Sequence, residues 1–189
     1  MRGKGPMPRF MEIHIWKALE LIGKHNRVGR KRLVEKLGVG EGSTRTILNK
    51  LKAKRLVTSS KGGHSITEKG RKLLKTAPHF LRVDAGDLTV GKFDVATTIK
   101  GAAKRVKLGL EQRDEAIKAG ADGATVLVFS GGKLRFPDSS TEVKGQVAAG
   151  LVNTLRPKDG DAVVIGSGGT AGLAEDGARA AAASLTRKP

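Results

Sequence analysis

The chain has 189 residues, enough for one large domain or two small ones, and its 36 Lys and Arg outnumber 18 Asp and Glu to give a formal charge of +18. The absence of cysteine excludes a disulfide scaffold, a thiolate metal site and a cysteine nucleophile. No run approaches the roughly 18 to 20 apolar residues that span a bilayer, and no signal-peptide pattern follows the basic start Met1–Pro6, so we expect a cytoplasmic protein without a membrane partner.

Positive charge is concentrated in the first half of the chain. Residues 1–82 hold 21 Lys and Arg against 5 Asp and Glu, a net charge of +16. Residues 83–189 hold 15 against 13, a net charge of +2. A general basic shift would affect both halves, so the asymmetry indicates a module that faces nucleic acid, joined to a module with another role.

The first elements in chain order are a tail and two helices. Residues 1–9 are basic and interrupted by Pro and Gly, and we predict a disordered tail there. From Phe10 onward apolar residues recur at helical spacing, at Met11, Ile15, Ala18 and Ile22. A second, short helix is predicted from Gly29 to Gly38, with Gly38 as its C-terminal cap.

A third helix, a hairpin and a fourth helix follow. The third helix is predicted over Glu41–Arg55, and its apolar face consists of Thr44, Ile47, Leu48 and Leu51. The hairpin is predicted to have strands at Leu56–Thr58 and His64–Ile66, joined by a tight turn at Lys61–Gly63. A fourth helix, capped by Thr67, is predicted to follow it.

This order of elements resembles the winged helix of many bacterial and archaeal regulators. The resemblance is carried by Arg30–Val39, by Ser43–Leu51 with the strand that follows it, and by Ile66–Leu74. It implies a DNA-binding domain over residues 10–77. Arg55 occupies the place where such proteins often have Gly before the wing strand, and we expect it to stiffen that turn.

The outward face of the third helix carries the side chains that read base edges in a major groove. Arg suits guanine, Asn suits adenine, and Ser and Thr suit either, whereas Lys contacts phosphates. The alternative interpretation is a solvated basic surface. The predicted DNA contacts are Ser43, Arg45, Thr46, Asn49, Lys50 and Lys52 on the helix, and Ser60, Lys61 and His64 in the wing. The four histidines have no metal-ligand spacing, so no metal site is predicted.

The second half of the chain is predicted to form a compact α/β domain with a mixed sheet at 88–189, after a linker at 78–87 that includes an edge strand. The whole protein is therefore expected to be α+β. The predicted elements are a strand at 88–99, a helix at 109–119, a hairpin with strands at 124–129 and 134–136, a helix at 141–155, a strand at 161–165 and an Ala-rich helix at 170–185.

A glycine-rich run, Val164–Gly172, is predicted as a turn between the last strand and the last helix. Backbone N–H groups at such a turn can hold an anion. No second strand with an acid follows, so it is not a dinucleotide fingerprint, and no Lys follows the glycines, so it is not a P-loop. Two interpretations stay open: a pocket for a small anionic effector, or a tight turn that lets the helix pack closely. The candidate ligand residues are Gly166, Ser167, Gly168, Gly169 and Thr170, together with Arg113 and Asp114, which also fit ordinary surface charges.

Residues 80–189 contain no His, Cys or Tyr, so we expect no enzyme and no cofactor. The whole chain resembles archaeal winged-helix proteins with an uncharacterised C-terminal α/β domain, a likeness carried in the second half by Gly109–Asp114, Ala119–Ala121 and Gly160–Gly169.

The resemblance implies a transcription regulator that binds double-stranded DNA sequence-specifically. A homodimer is expected because a two-fold operator needs two recognition helices, and the Ala-rich last helix is a candidate interface. The alternatives are a non-specific architectural DNA-binding protein and an enzyme acting on a small phosphorylated metabolite.

Overall fold

The computed structural model describes residues 10, 12–25, 27–137 and 141–186, and the chain divides into two compact units after residue 77. The predicted tail at 1–9 lies outside the described residues. The α+β class is confirmed, with one small sheet in unit 1 and a larger sheet in unit 2. Among the described residues, no helix combines the length and the apolar character needed to cross a bilayer.

Unit 1 has the predicted order of elements. They are α1 (Glu12–Lys24), α2 (Arg30–Leu37), α3 (Glu41–Ala53), β1 (Val57–Ser60), β2 (Gly63–Ile66) and α4 (Glu68–Thr76). Gly38 ends α2 in the left-handed conformation at φ 66°, and the hydroxyl of Thr67 accepts the Gly70 N–H at 3.0 Å to cap α4. The apolar sides of α1, α2 and α3 bury Leu19, Leu33 and Ile47 in one core.

A third segment pairs with the wing through a single β-bridge, which the sequence did not reveal. β1 and β2 pair antiparallel with a two-residue turn at Lys61 and Gly62. Val28, between α1 and α2, exchanges two backbone hydrogen bonds of 2.9 Å with His64. Gly63 has φ 127°, and a Cβ there would lie 2.6 Å from the Val28 carbonyl oxygen, so this close approach requires glycine.

Arg55 adopts a backbone conformation that favours glycine. The helix predicted to reach Arg55 ends at Ala53, and Arg55 follows with φ 57°. The Thr67 hydroxyl donates to the Arg55 carbonyl at 2.8 Å and so ties this turn to the start of α4. Arg55, which stands where related domains often have glycine, is therefore held in the left-handed region.

Replacing Arg55 with glycine should give a more stable protein than replacing it with alanine, by about 1 kcal/mol, because alanine keeps the left-handed strain. Both variants remove the same charge, so the comparison isolates the backbone. Urea denaturation of the two variants measures the difference. At neighbouring Lys54, where φ is −78°, the same pair of substitutions should show the opposite order.

Unit 2 is a five-stranded sheet with helices on both faces. Its elements are β3 (Leu81–Val83), β4 (Phe93–Ile99), α5 (Leu110–Lys118), β5 (Gly123–Ser130), β6 (Lys133–Arg135), α6 (Gly145–Leu155), β7 (Ala162–Gly168) and α7 (Ala171–Thr186). The strand order is β3-β4-β7-β5-β6. Helices α5 and α7 cover one face, where Val126 and Val164 are buried, and α6 covers the other, where Leu127 and Val163 are buried.

The predicted mixed sheet is wrong, because every strand pair of this sheet is antiparallel. The prediction assumed that each helix returns the chain to a parallel neighbour. Instead β7 lies between β4 and β5 and runs opposite to both. All seven residues of β7 are buried, as expected of a central strand covered on both faces.

The edge strand predicted within the linker at 78–87 is present as β3. Two other predicted boundaries in unit 2 are corrected. The strand predicted from residue 88 starts at Phe93, after a short 3-10 turn at Gly86–Leu88. The helix predicted from residue 141 starts at Gly145.

The late start of α6 follows from backbone pairing before it. The Val143 N–H donates to the Leu134 carbonyl at 2.9 Å, and Glu142 forms a β-bridge with Arg135. Val143 is buried and fits the helical spacing of Val147 and Leu151, yet it lies before the helix and pairs with Leu134 instead. Periodicity alone could not distinguish these two ways of burying one side chain.

The small-residue side of α7 packs inside its own unit. Ala174, Ala178 and Ala181 are fully buried, and a Cβ on Gly177 would lie 2.5 Å from that of Ala121. The Ala-rich side is therefore used for packing on the sheet and α5, so a dimer interface on α7, as predicted, would have to use its other sides.

Candidate nucleic-acid interface

Helix α3 is fixed to the core by one side and exposes the other. Thr44, Ile47, Leu48 and Leu51 are buried, as the sequence predicted. The Thr44 hydroxyl donates to the Gly40 carbonyl at 3.2 Å, which satisfies a polar group inside the core. The opposite side of the helix is thereby held outward by packing.

The predicted base-reading residues lie on this outward side. Arg45 has 62% of its side chain exposed, and Asn49 is exposed. Ser43 and Thr46 are half-buried, and the Thr46 hydroxyl donates to the Gly42 carbonyl at 3.1 Å. That hydroxyl keeps its acceptor lone pairs, so it can still accept a hydrogen bond from a base.

The two predicted phosphate-binding lysines of α3 have different surroundings. The Lys50 ammonium lies 5.2 Å from the centre of the Phe10 ring, a cation–π contact that holds it beside the start of α1. Lys52 instead lines a cleft next to the wing. At about 100° per residue the two lysines lie on different flanks of the Asn49 direction, so cations border the base-reading side on both edges.

The cleft beside the wing has a volume of about 450 Å³ and combines several anion-binding groups. It is lined by Gly29, Arg30, Lys52, Ser59, Ser60, Lys61, Gly62, Gly63 and His64. Gly29 is the N-cap of α2 and provides no side-chain cap, so the first N–H groups of that helix have no acceptor from it. A helix N-terminus, three cationic side chains and two hydroxyls in one cleft suit a phosphate. Within the described residues, no group of three or more His, Asp or Glu could hold a metal.

His64 lies inside the cleft and is not an exposed wing-tip residue. It is 8% exposed, and its Nδ1 lies 2.8 Å from the Ser59 hydroxyl oxygen. Burial lowers the pKa of His64 below its ordinary value of 6.5, and the nearby charges of Lys52 and Arg30 lower the pKa further. His64 is therefore neutral at pH 7 and acts as a hydrogen-bonding group of the cleft.

The lowered pKa of His64 predicts a stability that depends on pH. The unfolded chain binds a proton at this histidine near pH 6.5, whereas the folded chain binds it only at lower pH. The free energy of unfolding should therefore fall as the pH is lowered through 6.5. The His64→Gln variant should lack this part of the pH dependence in thermal denaturation, and His79→Gln, which removes an exposed histidine, should retain it. Parallel pH profiles for the two variants would contradict the prediction.

Glu41 is a charged residue of this surface that the sequence analysis missed. Its Oε1 lies 3.4 Å from Arg30 Nη1 and 3.7 Å from Arg45 Nη2. The i,i+4 spacing to Arg45 was a usable signal, whereas the contact with Arg30 joins two helices and depends on the fold.

The second predicted site, the glycine-rich turn, is not a turn over most of its length. Gly166, Ser167 and Gly168 belong to β7 and are buried. The Ser167 hydroxyl accepts the Gly91 N–H at 2.7 Å. Gly169 and Thr170 are exposed, and the Thr170 hydroxyl accepts the Leu173 N–H at 3.2 Å near the start of α7. The predicted effector loop is therefore corrected to a central strand and a capped helix start.

Arg113 and Asp114 are not brought together with Thr170. They are exposed on α5 and form an ion pair of 3.6 Å. Their neighbour Gln112 donates to the Ser184 hydroxyl at 2.9 Å, near the far end of α7. At 1.5 Å per residue, Ser184 lies about 20 Å along the helix from Thr170. The seven candidate ligand residues do not form one site.

Two family models match the chain, one in each unit. Residues 20–72 match the model described as the N-terminal domain of PH0730-like proteins, and residues 90–185 match a domain of unknown function, DUF4443. The chain is 30% identical to the hypothetical protein PH0730 from Pyrococcus horikoshii OT3, with a TM-score of 0.66 over 94% of this chain and 93% of that chain. No protein of curated function matches the chain.

Proposed function

The chain belongs to the family of archaeal PH0730-like proteins that carry a DUF4443 domain, and on this premise we propose that unit 1 binds double-stranded DNA and that the protein is a sequence-specific transcription regulator. The family descriptions name no activity, so the proposal is supported by the residues of unit 1.

One observation carries the proposal: α3 exposes a base-reading side between cations on both flanks. Arg45 and Asn49 can make the bidentate contacts that distinguish guanine and adenine in a major groove. Lys50 on one flank, and Lys52 with the wing cleft on the other, can contact phosphates on either side of such a groove. The charge of +16 on residues 1–82 supplies the attraction that brings the duplex to this surface.

The direct test is selection of duplexes from a random library by the full chain, followed by fluorescence anisotropy. We expect a selected duplex to bind about 10³-fold or more tightly than a shuffled one at physiological salt. The affinity should also fall with salt, since each neutralised phosphate contributes about −0.9 to the logarithmic slope. Failure to bind any duplex would contradict the proposal.

A cleft variant and a matched control locate the binding surface. The double substitution of Arg30 and Lys52 by alanine should weaken binding to every duplex by roughly tenfold or more and reduce the salt slope by about 2. The same substitution at Arg71 and Lys72, two exposed cations of α4, removes equal charge from unit 1. Equal losses in the two variants would show that net charge, and not this surface, binds the DNA.

A non-specific architectural protein is the second candidate, and the charge of unit 1 favours it. Phosphate contacts alone can hold such a protein on DNA without base readout. The selection experiment separates the two functions, because an architectural protein would show the same salt slope with no selected sequence.

Binding as a homodimer remains part of the regulator proposal. A two-fold operator places half-sites about one helical turn apart, which requires two recognition helices. Analytical ultracentrifugation of the chain with its selected duplex should give two chains per duplex. One chain per palindromic duplex would contradict dimeric binding.

A further inference from the structure

Glu41 is an acidic residue in the middle of a cationic surface. It is the first residue of α3, and 64% of its side chain is exposed. Its carboxylate contacts Arg30, which lines the phosphate cleft, and Arg45, which lies on the base-reading side. One carboxylate therefore connects the two kinds of cation that the proposed DNA complex would use.

The position of Glu41 is unusual within unit 1. Only five acids occur in residues 1–82, and the other four lie on helices other than α3. They are Glu12 and Glu20 on α1, Glu35 on α2 and Glu68 on α4. A duplex approaching α3 would thus meet one negative side chain on that helix. A carboxylate at this place repels phosphates, so it lowers the affinity for DNA in general.

A purely structural role explains Glu41 incompletely. An acid in the first turn interacts favourably with the helix dipole, and α3 has Gly40 as its N-cap, without a side-chain cap. Any acidic side chain in the first turn would interact with the helix dipole in this way. That interaction does not require Glu41 to contact two arginines on different helices, and exposed ion pairs stabilise folded proteins only slightly.

We propose that Glu41 is a positioning residue that raises sequence specificity by holding Arg45 toward base edges and by denying Arg45 to phosphates. The inference rests on the proposed DNA-binding function. A guanidinium has five N–H donors in a planar fork, so Arg45 can keep its 3.7 Å ion pair with Glu41 and still present two donors to a guanine. In a non-specific complex Arg45 would have to leave Glu41 for a phosphate, and the carboxylate would lose one of its two cationic partners beside the DNA backbone.

The test compares Glu41→Gln with Glu35→Gln. Both remove one negative charge from unit 1, and Glu35 is exposed on α2 without an ion-pair partner among the described residues. Anisotropy measures binding to the selected duplex and to a shuffled duplex of equal length. Glu35→Gln should tighten both by the same small factor and keep their ratio. Glu41→Gln should tighten the shuffled duplex by roughly three- to tenfold more than Glu35→Gln does, without a matching gain for the selected one.

A third variant, Glu41→Asp, keeps the charge and the acid of the first turn but shortens the reach. We expect it to lose part of the specificity ratio, because the shorter side chain releases Arg45 to phosphates while the negative charge stays. Thermal denaturation of all three variants shows whether each is folded.

Equal specificity ratios for Glu41→Gln and Glu35→Gln, from a selective wild-type protein, would overturn the role of Glu41 alone. A wild-type protein that binds all duplexes equally would overturn the proposed regulator and this role together. The two failures are therefore distinguishable in one data set.

Discussion

Replacing Gly166 with alanine should destabilise unit 2 by about 3 kcal/mol or more, a value at the upper end for overpacking a protein interior. Gly166 lies in the central strand β7 where α7 crosses it. A Cβ there would lie 2.2 Å from the Ala178 nitrogen and 2.3 Å from the Ala174 carbonyl oxygen. Both are backbone atoms of α7, so no side-chain rotation can make room, and the helix would have to move away from the sheet.

Urea denaturation followed by circular dichroism measures this loss, and Gly150→Ala is the matched control. Gly150 is exposed in the middle of α6, and a Cβ there would meet nothing within 4 Å. The control should be more stable than wild type by about 0.5 to 1 kcal/mol, because alanine favours a helix interior. A Gly166→Ala variant as stable as the control would mean that α7 does not approach β7 this closely.

The same glycines show where sequence reasoning reached its limit. The sequence predicts a turn at Gly166 and Gly168, because glycine is the strongest local signal for one. Their actual role is to let a helix backbone approach a strand, which leaves no mark in local sequence. One of the two interpretations left open, close packing of the Ala-rich helix, describes the finding, although the packing occurs along a strand and not at a turn.

Unit 1 was predictable in greater detail because its boundaries are set by local chemistry. Gly38 ends α2 in a left-handed conformation, and Thr67 caps α4 through its own hydroxyl. Both signals act within four residues of the boundary they set. The Val28–His64 bridge, in contrast, joins residues far apart in sequence, and only the folded chain shows it.

The candidate interface likewise has a part that the sequence predicted and a part that only the fold shows. Helical periodicity correctly placed Arg45 and Asn49 outward and Leu51 inward. The wing cleft was missed as a unit, because Arg30, Lys52 and Ser59 come from three different elements. The sequence could thus supply the residue types on one helix, and the fold supplies their neighbours.

Replacing Arg45 with alanine should weaken binding to the selected duplex by about 1 to 3 kcal/mol and relax the preference at one base pair. Replacing Lys50 should instead weaken all duplexes alike and reduce the salt slope by about 1, because an ammonium contacts phosphates without reading sequence. The structure supports this division of roles: Arg45 is exposed on the outward side of α3, and Lys50 is held at its edge over the Phe10 ring.

Repeating the duplex selection with each variant, at several salt concentrations, distinguishes the two roles. The Lys50→Ala protein should select the same sequence as wild type, and the Arg45→Ala protein should tolerate any base at one position of it. Each variant loses one positive charge from the same helix, so electrostatic attraction alone predicts identical results for both. Equal losses on every sequence would therefore place base recognition away from Arg45, and an unchanged preference in Arg45→Ala would leave Asn49 as the exposed α3 side chain to test next.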